Sequence, residues 1–144
     1  MIGATIILYK PDMEVTERLI QSTAKQVDVI SIVDNSPVPT PITIDNKNFH
    51  YHHFPLNIGI AAAHNIGLRD LHAAGCSFGM LLDQDSIIDD DFAFRLSSLL
   101  VASKIENRPL VAIGPRIICS FSEKTIKPRM QREISVYENL VCVT

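Results

Sequence analysis

Two carboxylates separated by one residue follow a short apolar run, Met80–Leu82, in the middle of the chain. They are Asp83 and Asp85, and Ser86 comes directly after them. If the run is a buried strand, both carboxylates lie at its C-terminal end, and residues two apart on a strand face the same side. Open α/β sheets bind ligands at that end of their strands. Two carboxylates there would hold Mg²⁺ or Mn²⁺ and leave positions for water and phosphate oxygens. The pattern therefore predicts a protein that handles a diphosphate.

Apolar runs alternate with amphipathic segments along the chain, which predicts alternating strands and helices. The predicted strands cover residues 4–9, 29–33, 49–54, 79–82 and 110–113, with Gly114-Pro115 breaking the last. The predicted helices cover residues 13–26, 60–74 and 89–107, the first of them capped by Asp12. Such an alternation implies a largely parallel sheet with helices on both faces. Residues 116–144 show no clear pattern, and their apolar end, residues 140–144, has no stop signal.

Composition indicates a globular domain and excludes some partners. The chain has 144 residues, 47% hydrophobic and 20% charged, and a net charge of -3, so we expect no nucleic-acid partner. Cys76, Cys119 and Cys142 have no metal-binding spacing, and their odd number favours a reducing cytoplasm. No apolar run approaches the roughly 20 residues of a membrane span.

Asp34 is the second candidate site residue, because it ends the predicted strand Val29–Val33. From there its carboxylate could accept hydrogen bonds from the N–H of a base or from a ribose hydroxyl. The alternative is an Asx turn, in which Asp34 binds only its own backbone.

Asn57 and Gly59 precede the predicted Ala-rich helix, and Asn65 and Gly67 repeat the pair eight residues later. Gly59 would allow a ligand close to the backbone, and a helix N-terminus attracts phosphate. Alternatively, Asn57 only caps the helix and Gly67 only permits close packing on the sheet. The chain lacks the Gly-x-Gly-x-x-Gly pattern of dinucleotide folds and the Walker A lysine loop.

Two other polar clusters have simpler interpretations. His50 and His52 could share a strand face and bind a metal, but no third ligand follows at a suitable spacing. We interpret them as ordinary strand residues. The run Asp89–Asp91 is interpreted as helix-start chemistry, since negative charge complements the helix dipole there.

Together these segments resemble the family 2 glycosyltransferases over roughly residues 3–118. The resemblance is carried by Thr5–Tyr9, Val33–Ser36, Asn57–Gly67 and Leu81–Ser86. It implies the GT-A fold, a Rossmann-like open sheet, and a nucleotide-diphospho-sugar donor. The Asp-Gln-Asp-Ser version is similar to that of bacterial rhamnosyltransferases of O-antigen and cell-wall polysaccharide assembly. That implies dTDP-L-rhamnose as donor, with a UDP-sugar as the alternative, and an inverting transfer to a saccharide or lipid-linked saccharide.

The resemblance also implies roles for individual residues. Asp85 would bind Mg²⁺ or Mn²⁺ directly, and Asp83 would contact the ribose or the water shell of the metal. Asp34 would contact the pyrimidine base, and Tyr9 would line the base pocket. The other residues expected to line the nucleotide are Asn57, Gly59 and Asn65.

The chain departs from this family in length and in its catalytic base. Family members are roughly twice as long, and their catalytic base lies in the acceptor half. None of Glu123, Glu133 and Glu138 clearly matches that base. We therefore expect residues 1–118 to be a nucleotide-sugar-binding half-domain and residues 119–144 to begin an acceptor-side region. Such a chain would bind donor and metal but transfer sugar poorly, and exposed apolar surface would favour a homodimer. We expect it in the cytoplasm, with peripheral membrane association only through a lipid-linked acceptor.

Two rival functions remain open at this point. The haloacid-dehalogenase phosphatases also have an apolar strand ending in Asp-x-Asp, with the first Asp as nucleophile. Their motif usually lies near the N-terminus, whereas nearly 80 residues precede Met80 here. The other rival is a non-catalytic module that binds a sugar nucleotide and docks on a partner through its apolar C-terminal segment.

Overall fold

The computed structural model describes residues 1–43, 48–105, 112–115, 134–137 and 140–143. The chain forms two compact units, Met1–Ala93 and Phe94–Thr144. In chain order the elements are β1 (Ile2–Leu8), α1 (Met13–Ala24), β2 (Val29–Asp34), β3 (Phe49–His53), α2 (Ile60–Ala73), β4 (Phe78–Asp83), α3 (Phe92–Ile105), β5 (Ala112–Pro115), β6 (Ile134–Tyr137) and β7 (Leu140–Val143).

The first unit is built on a four-stranded parallel sheet in the order β3-β2-β1-β4. A helix after each of β1 and β3 returns the chain to the starting edge of the sheet, so the next strand runs parallel. β1 starts two residues earlier than predicted, because Ile2 still pairs with Phe78 of β4. The C-terminal ends of all four strands therefore lie along one edge of the sheet.

Helices cover both faces of this sheet. On one face, Ile6 and Ile32 pack in the same cluster as Leu19 of α1. On the other face, Ile7 and Val33 pack with Ala63 of α2. Because both faces are covered, β1 and β2 are buried almost throughout, which explains their continuous apolar sequences. The predicted α/β fold class, an open and mostly parallel sheet, is confirmed.

Two helix boundaries differ from those predicted. α1 begins as expected, with Asp12 accepting hydrogen bonds from the amides of its first turn, but it ends at Ala24 and not at residue 26. Gln26 instead accepts a hydrogen bond from the Ala93 amide at 3.0 Å and donates one to the Asp89 carbonyl at 2.9 Å. α3 begins at Phe92 and not at Asp89, so the Asp89–Asp91 run precedes the helix.

The second unit contains a separate antiparallel sheet in the order β5-β7-β6. The sequence pattern implied one sheet, but β5 pairs with β7, a strand that the sequence did not predict. Gly114 and Pro115 lie within β5 and do not break it, whereas the predicted start of this strand at residues 110–111 lies outside the described residues. Among the helices of the described residues, none is long and apolar enough to cross a membrane.

Candidate functional site

The acidic pair lies on a tight turn at the end of β4. The Ser86 amide donates to the Asp83 carbonyl at 3.0 Å and closes a four-residue turn with Gln84 and Asp85 at its centre. Only Asp83 belongs to the strand, where it lies opposite Ile7 of β1. The prediction that strand alternation places both carboxylates on one face is therefore wrong for Asp85, because the turn replaces the strand there. Both acidic side chains are exposed to solvent.

The chemistry of this turn fits a hard divalent cation. Within the residues that the structure describes, no group of three or more His, Cys, Asp and Glu side chains could hold a metal ion. The turn therefore offers two carboxylates, Asp83 and Asp85. Mg²⁺ typically binds in this way, through one or two carboxylates plus water and substrate phosphates. Neither carboxylate takes part in the ion pairs found in the described residues, which are Arg18–Glu14 and His52–Asp70.

Asp34 ends β2 at the same edge of the sheet, but it is fully buried. Its Oδ1 accepts a hydrogen bond from the Ser36 amide at 2.9 Å, which forms the Asx turn considered above. Its Oδ2 accepts from the Thr40 amide and from the Tyr51 hydroxyl, both at 2.7 Å. Burial raises the pKa of Asp34, but the hydrogen bonds from Ser36, Tyr51 and Thr40 outweigh it and bring the pKa down to about 2. Asp34 is thus an anion held by its own loop, and its contact with a base stays a prediction.

Tyr51 is a site residue that the sequence did not reveal. It lies on β3 opposite Ile32, two registers before the end of the strand, and its hydroxyl reaches Asp34 across the loop. Burial raises the pKa of the Tyr51 phenol, and the hydrogen bond to Asp34 and the charge of that carboxylate raise it further. The phenol therefore stays protonated at neutral pH and donates a hydrogen bond to Asp34.

Tyr9 follows β1 and lies beside the acidic turn. Its side chain is 45% exposed, and the Lys10 ammonium lies 5.4 Å from the centre of its ring. Gln84, one of the two central residues of the turn, binds the Tyr9 backbone through the oxygen and the nitrogen of its side-chain amide. The Lys10 amide donates to the Ser36 hydroxyl at 2.8 Å. The structure thus brings Tyr9, the acidic turn and the Asp34 loop together at one edge of the sheet.

The N-terminus of α2 opens at that edge without a side-chain cap. Gly59 is the N-cap residue, and its φ of 83° suits glycine. Asn57 accepts a hydrogen bond from the Gly59 amide at 2.8 Å, so it orders the approach to the helix and does not cap the first turn. The first-turn amides consequently keep their capacity to bind an anion.

Gly67 and Asn65, farther along α2, have different surroundings. A Cβ atom at Gly67 would lie 2.4 Å from the Thr5 hydroxyl, so glycine is required there for close packing on the sheet. Asn65 is exposed. It lies two residues along α2 from both Ala63 and Gly67, which face the sheet. Two residues correspond to a rotation of about 200° in a helix of 3.6 residues per turn, so Asn65 lies on the side of α2 away from the sheet. The contact of Asn65 with a nucleotide stays a prediction.

Two histidines have partners that sequence patterns did not suggest. His64 of α2 is half-buried, with Nδ1 3.4 Å from the Thr5 hydroxyl. Burial lowers the pKa of His64, and the charge of Asp83 acts in the opposite direction. His52 lies 2.8 Å from Asp70, whose carboxylate also accepts a hydrogen bond from Ser31. His52 is therefore part of a hydrogen-bonded cluster under α2.

Comparison with known proteins agrees with the fold. No protein-family model matches the chain. It is 33% identical over 101 residues to the dTDP-rhamnosyl transferase RfbF of Shigella flexneri, a match that covers 67% of this chain and 33% of that protein. It superposes on the crystal structure of S. aureus TarS 1-349 with a TM-score of 0.51 at 14% identity, covering 99% of this chain and 47% of the other.

The chain has the GT-A fold of glycosyltransferases and matches their N-terminal part. The resemblance found in the sequence is thereby confirmed. This GT-A chain spans a third of the length of RfbF and about half of the TarS chain.

Proposed function

We propose that this chain supplies the donor-binding part of a metal-dependent rhamnosyltransferase that uses dTDP-L-rhamnose. The observation that carries the proposal is the exposed Asp83–Ser86 turn at the C-terminal end of β4, beside Tyr9 and the uncapped start of α2. The similarity to a dTDP-rhamnosyl transferase supports this choice of donor over a UDP-sugar.

In this proposal each element binds one part of the donor. Asp83 and Asp85 would hold Mg²⁺ or Mn²⁺, which when bound stabilises the charge on a departing diphosphate. The first-turn amides of α2, beside Asn57 and Gly59, would bind phosphate oxygens. Tyr9 offers an exposed ring against which a base can stack.

We further propose an inverting transfer to a saccharide or lipid-linked saccharide. Such a displacement needs a general base that removes a proton from the acceptor hydroxyl. The acidic residues that could take this role, Glu123, Glu133 and Glu138, lie outside the described residues.

Calorimetric titration with dTDP and UDP, each with and without Mn²⁺, tests the donor and the metal together. We expect dTDP to bind more tightly than UDP, and Mn²⁺ to strengthen binding in the wild type but not in Asp85→Ala. Asp90→Ala, which removes an exposed carboxylate from the neighbouring acidic run, is the matched control and should bind as the wild type does. Failure of a folded chain to bind either nucleotide would overturn the proposal.

Incubation with dTDP-rhamnose and saccharide acceptors tests whether this chain acts alone. We expect binding of the donor with little or no transfer of rhamnose, because the chain spans a third of the length of the dTDP-rhamnosyl transferase that it matches. Robust transfer, lost in Asp85→Ala, would show that the base lies within these 144 residues.

A further inference from the structure

A side-chain amide extends the β1–β4 ladder beyond the end of β4. Backbone pairing between these strands ends at Ile7 and Asp83. Beyond it, Gln84 Oε1 accepts a hydrogen bond from the Tyr9 amide at 2.7 Å, and Gln84 Nε2 donates to the Tyr9 carbonyl at 3.3 Å. A primary amide presents the same donor and acceptor as a peptide group. Gln84 therefore takes the place of the next strand residue while the backbone of β4 turns away.

The segment that Gln84 binds, Tyr9 and Lys10, has an unusual backbone conformation. Lys10 has a φ of 48° and is the one residue other than glycine with a positive φ in the described part of the chain. An L residue in that conformation is strained, so surrounding contacts must maintain it. Gln84 holds the segment on the side of the acidic turn, and Ser36 holds it on the other side through the Lys10 amide.

We propose that Gln84 is a positioning residue for nucleotide binding. Its two hydrogen bonds set the Tyr9 ring beside the turn that carries Asp83 and Asp85, so that base and diphosphate meet prearranged surfaces. This inference rests on the proposed function, since it assumes that a nucleotide diphosphate binds at this edge. It assigns a task to Gln84, the residue between the two carboxylates.

A double-mutant cycle on dTDP binding in the presence of Mn²⁺ tests the inference. Gln84 forms its hydrogen bonds with the backbone of Tyr9, so Tyr9→Ala keeps these two bonds and removes the ring that they position. Gln84→Ala should weaken binding about 5- to 20-fold, within the range expected when base–aromatic stacking is lost. In the Tyr9→Ala background, Gln84→Ala should weaken binding no further. Gln21→Ala, an exposed glutamine on α1, is the matched control.

Gln84→Met provides the second variant, because it keeps the length and bulk of the side chain but lacks the amide. It should weaken binding as Gln84→Ala does, and it remains informative if the alanine variant fails to fold. Wild-type affinity in Gln84→Met, or equal losses from Gln84→Ala with and without the Tyr9 ring, would overturn the inference.

The two proposals fail in different ways. If the folded wild type binds no dTDP, the proposed function fails and the inference falls with it. If the wild type binds dTDP and Asp85→Ala weakens that binding, but both Gln84 variants bind as the wild type does, only the inference fails.

Discussion

Replacement of Tyr51 by Phe should destabilise the protein far more than the loss of an exposed hydroxyl would. The Tyr51 hydroxyl donates at 2.7 Å to Oδ2 of Asp34, which is fully buried and ionised. The Thr40 amide remains as the donor to that oxygen in Tyr51→Phe. The variant therefore weakens the support of a buried negative charge without moving the backbone that surrounds it.

The expected loss is about 1.5 kcal/mol of unfolding free energy. A hydrogen bond to a charged group contributes about 1.5–3 kcal/mol. We take the lower end because Tyr51 is 37% exposed, so water can replace part of the lost interaction. With the usual dependence of stability on urea, the midpoint of unfolding should fall by roughly 0.5–1.5 M.

The pH dependence of this loss separates it from a packing effect. The pKa of Asp34 is about 2 in the folded chain against an ordinary value of 3.8, so its ionisation contributes about 2–3 kcal/mol of stability at neutral pH. Because the folded pKa is the lower one, that contribution is complete above about pH 4 and is lost as the pH falls towards 2. Removal of the phenol raises the folded pKa, so the difference between wild type and Tyr51→Phe should shrink below about pH 4.

Urea unfolding of both proteins between pH 7 and pH 3, followed by circular dichroism, measures these quantities. Tyr9→Phe, which removes an exposed hydroxyl, is the control and should change stability by less than about 0.5 kcal/mol. A Tyr51→Phe midpoint equal to that of the wild type at pH 7, or a difference that grows at low pH, would refute the reasoning.

Three further substitutions test the packing of the helices on the sheet. Gly67→Ala should lower the unfolding free energy by about 2 kcal/mol, because the new Cβ would lie 2.4 Å from the Thr5 hydroxyl. At Gly79 the atom nearest to a new Cβ is the movable end of the Leu68 side chain, at 3.0 Å. Gly79→Ala should therefore lower the unfolding free energy less in the same urea titration. Thr23→Val should raise the melting temperature by about 2–4 °C, because the Thr23 hydroxyl is buried and has no partner in the described part of the chain; a fall in melting temperature would show that the hydroxyl is bonded.

Local sequence predicted the parallel sheet well because its strands are buried on both faces. A strand covered on both sides has a continuous apolar sequence, so β1 and β2 were located to within two residues. The Asp12 cap of α1 was predicted for a similar reason, since a capping side chain binds amides two and three residues ahead. The start of α3 was not predicted correctly, because the Ala93 amide in its first turn donates a hydrogen bond to Gln26, 67 residues away in the chain. Local sequence does not show such a contact.

The sequence by itself determined which residues are the candidates for the chemistry: the acidic pair after a buried strand, Asp34 after another, and the glycine at the start of α2. Residue type and local periodicity are sufficient for that. Only the tertiary structure decided what each residue contacts. Asp34 is buried against Tyr51 from the neighbouring strand, and Gln84 binds Tyr9 across 75 residues. These contacts depend on strand order and register, which bring distant segments together and leave no mark on the local pattern.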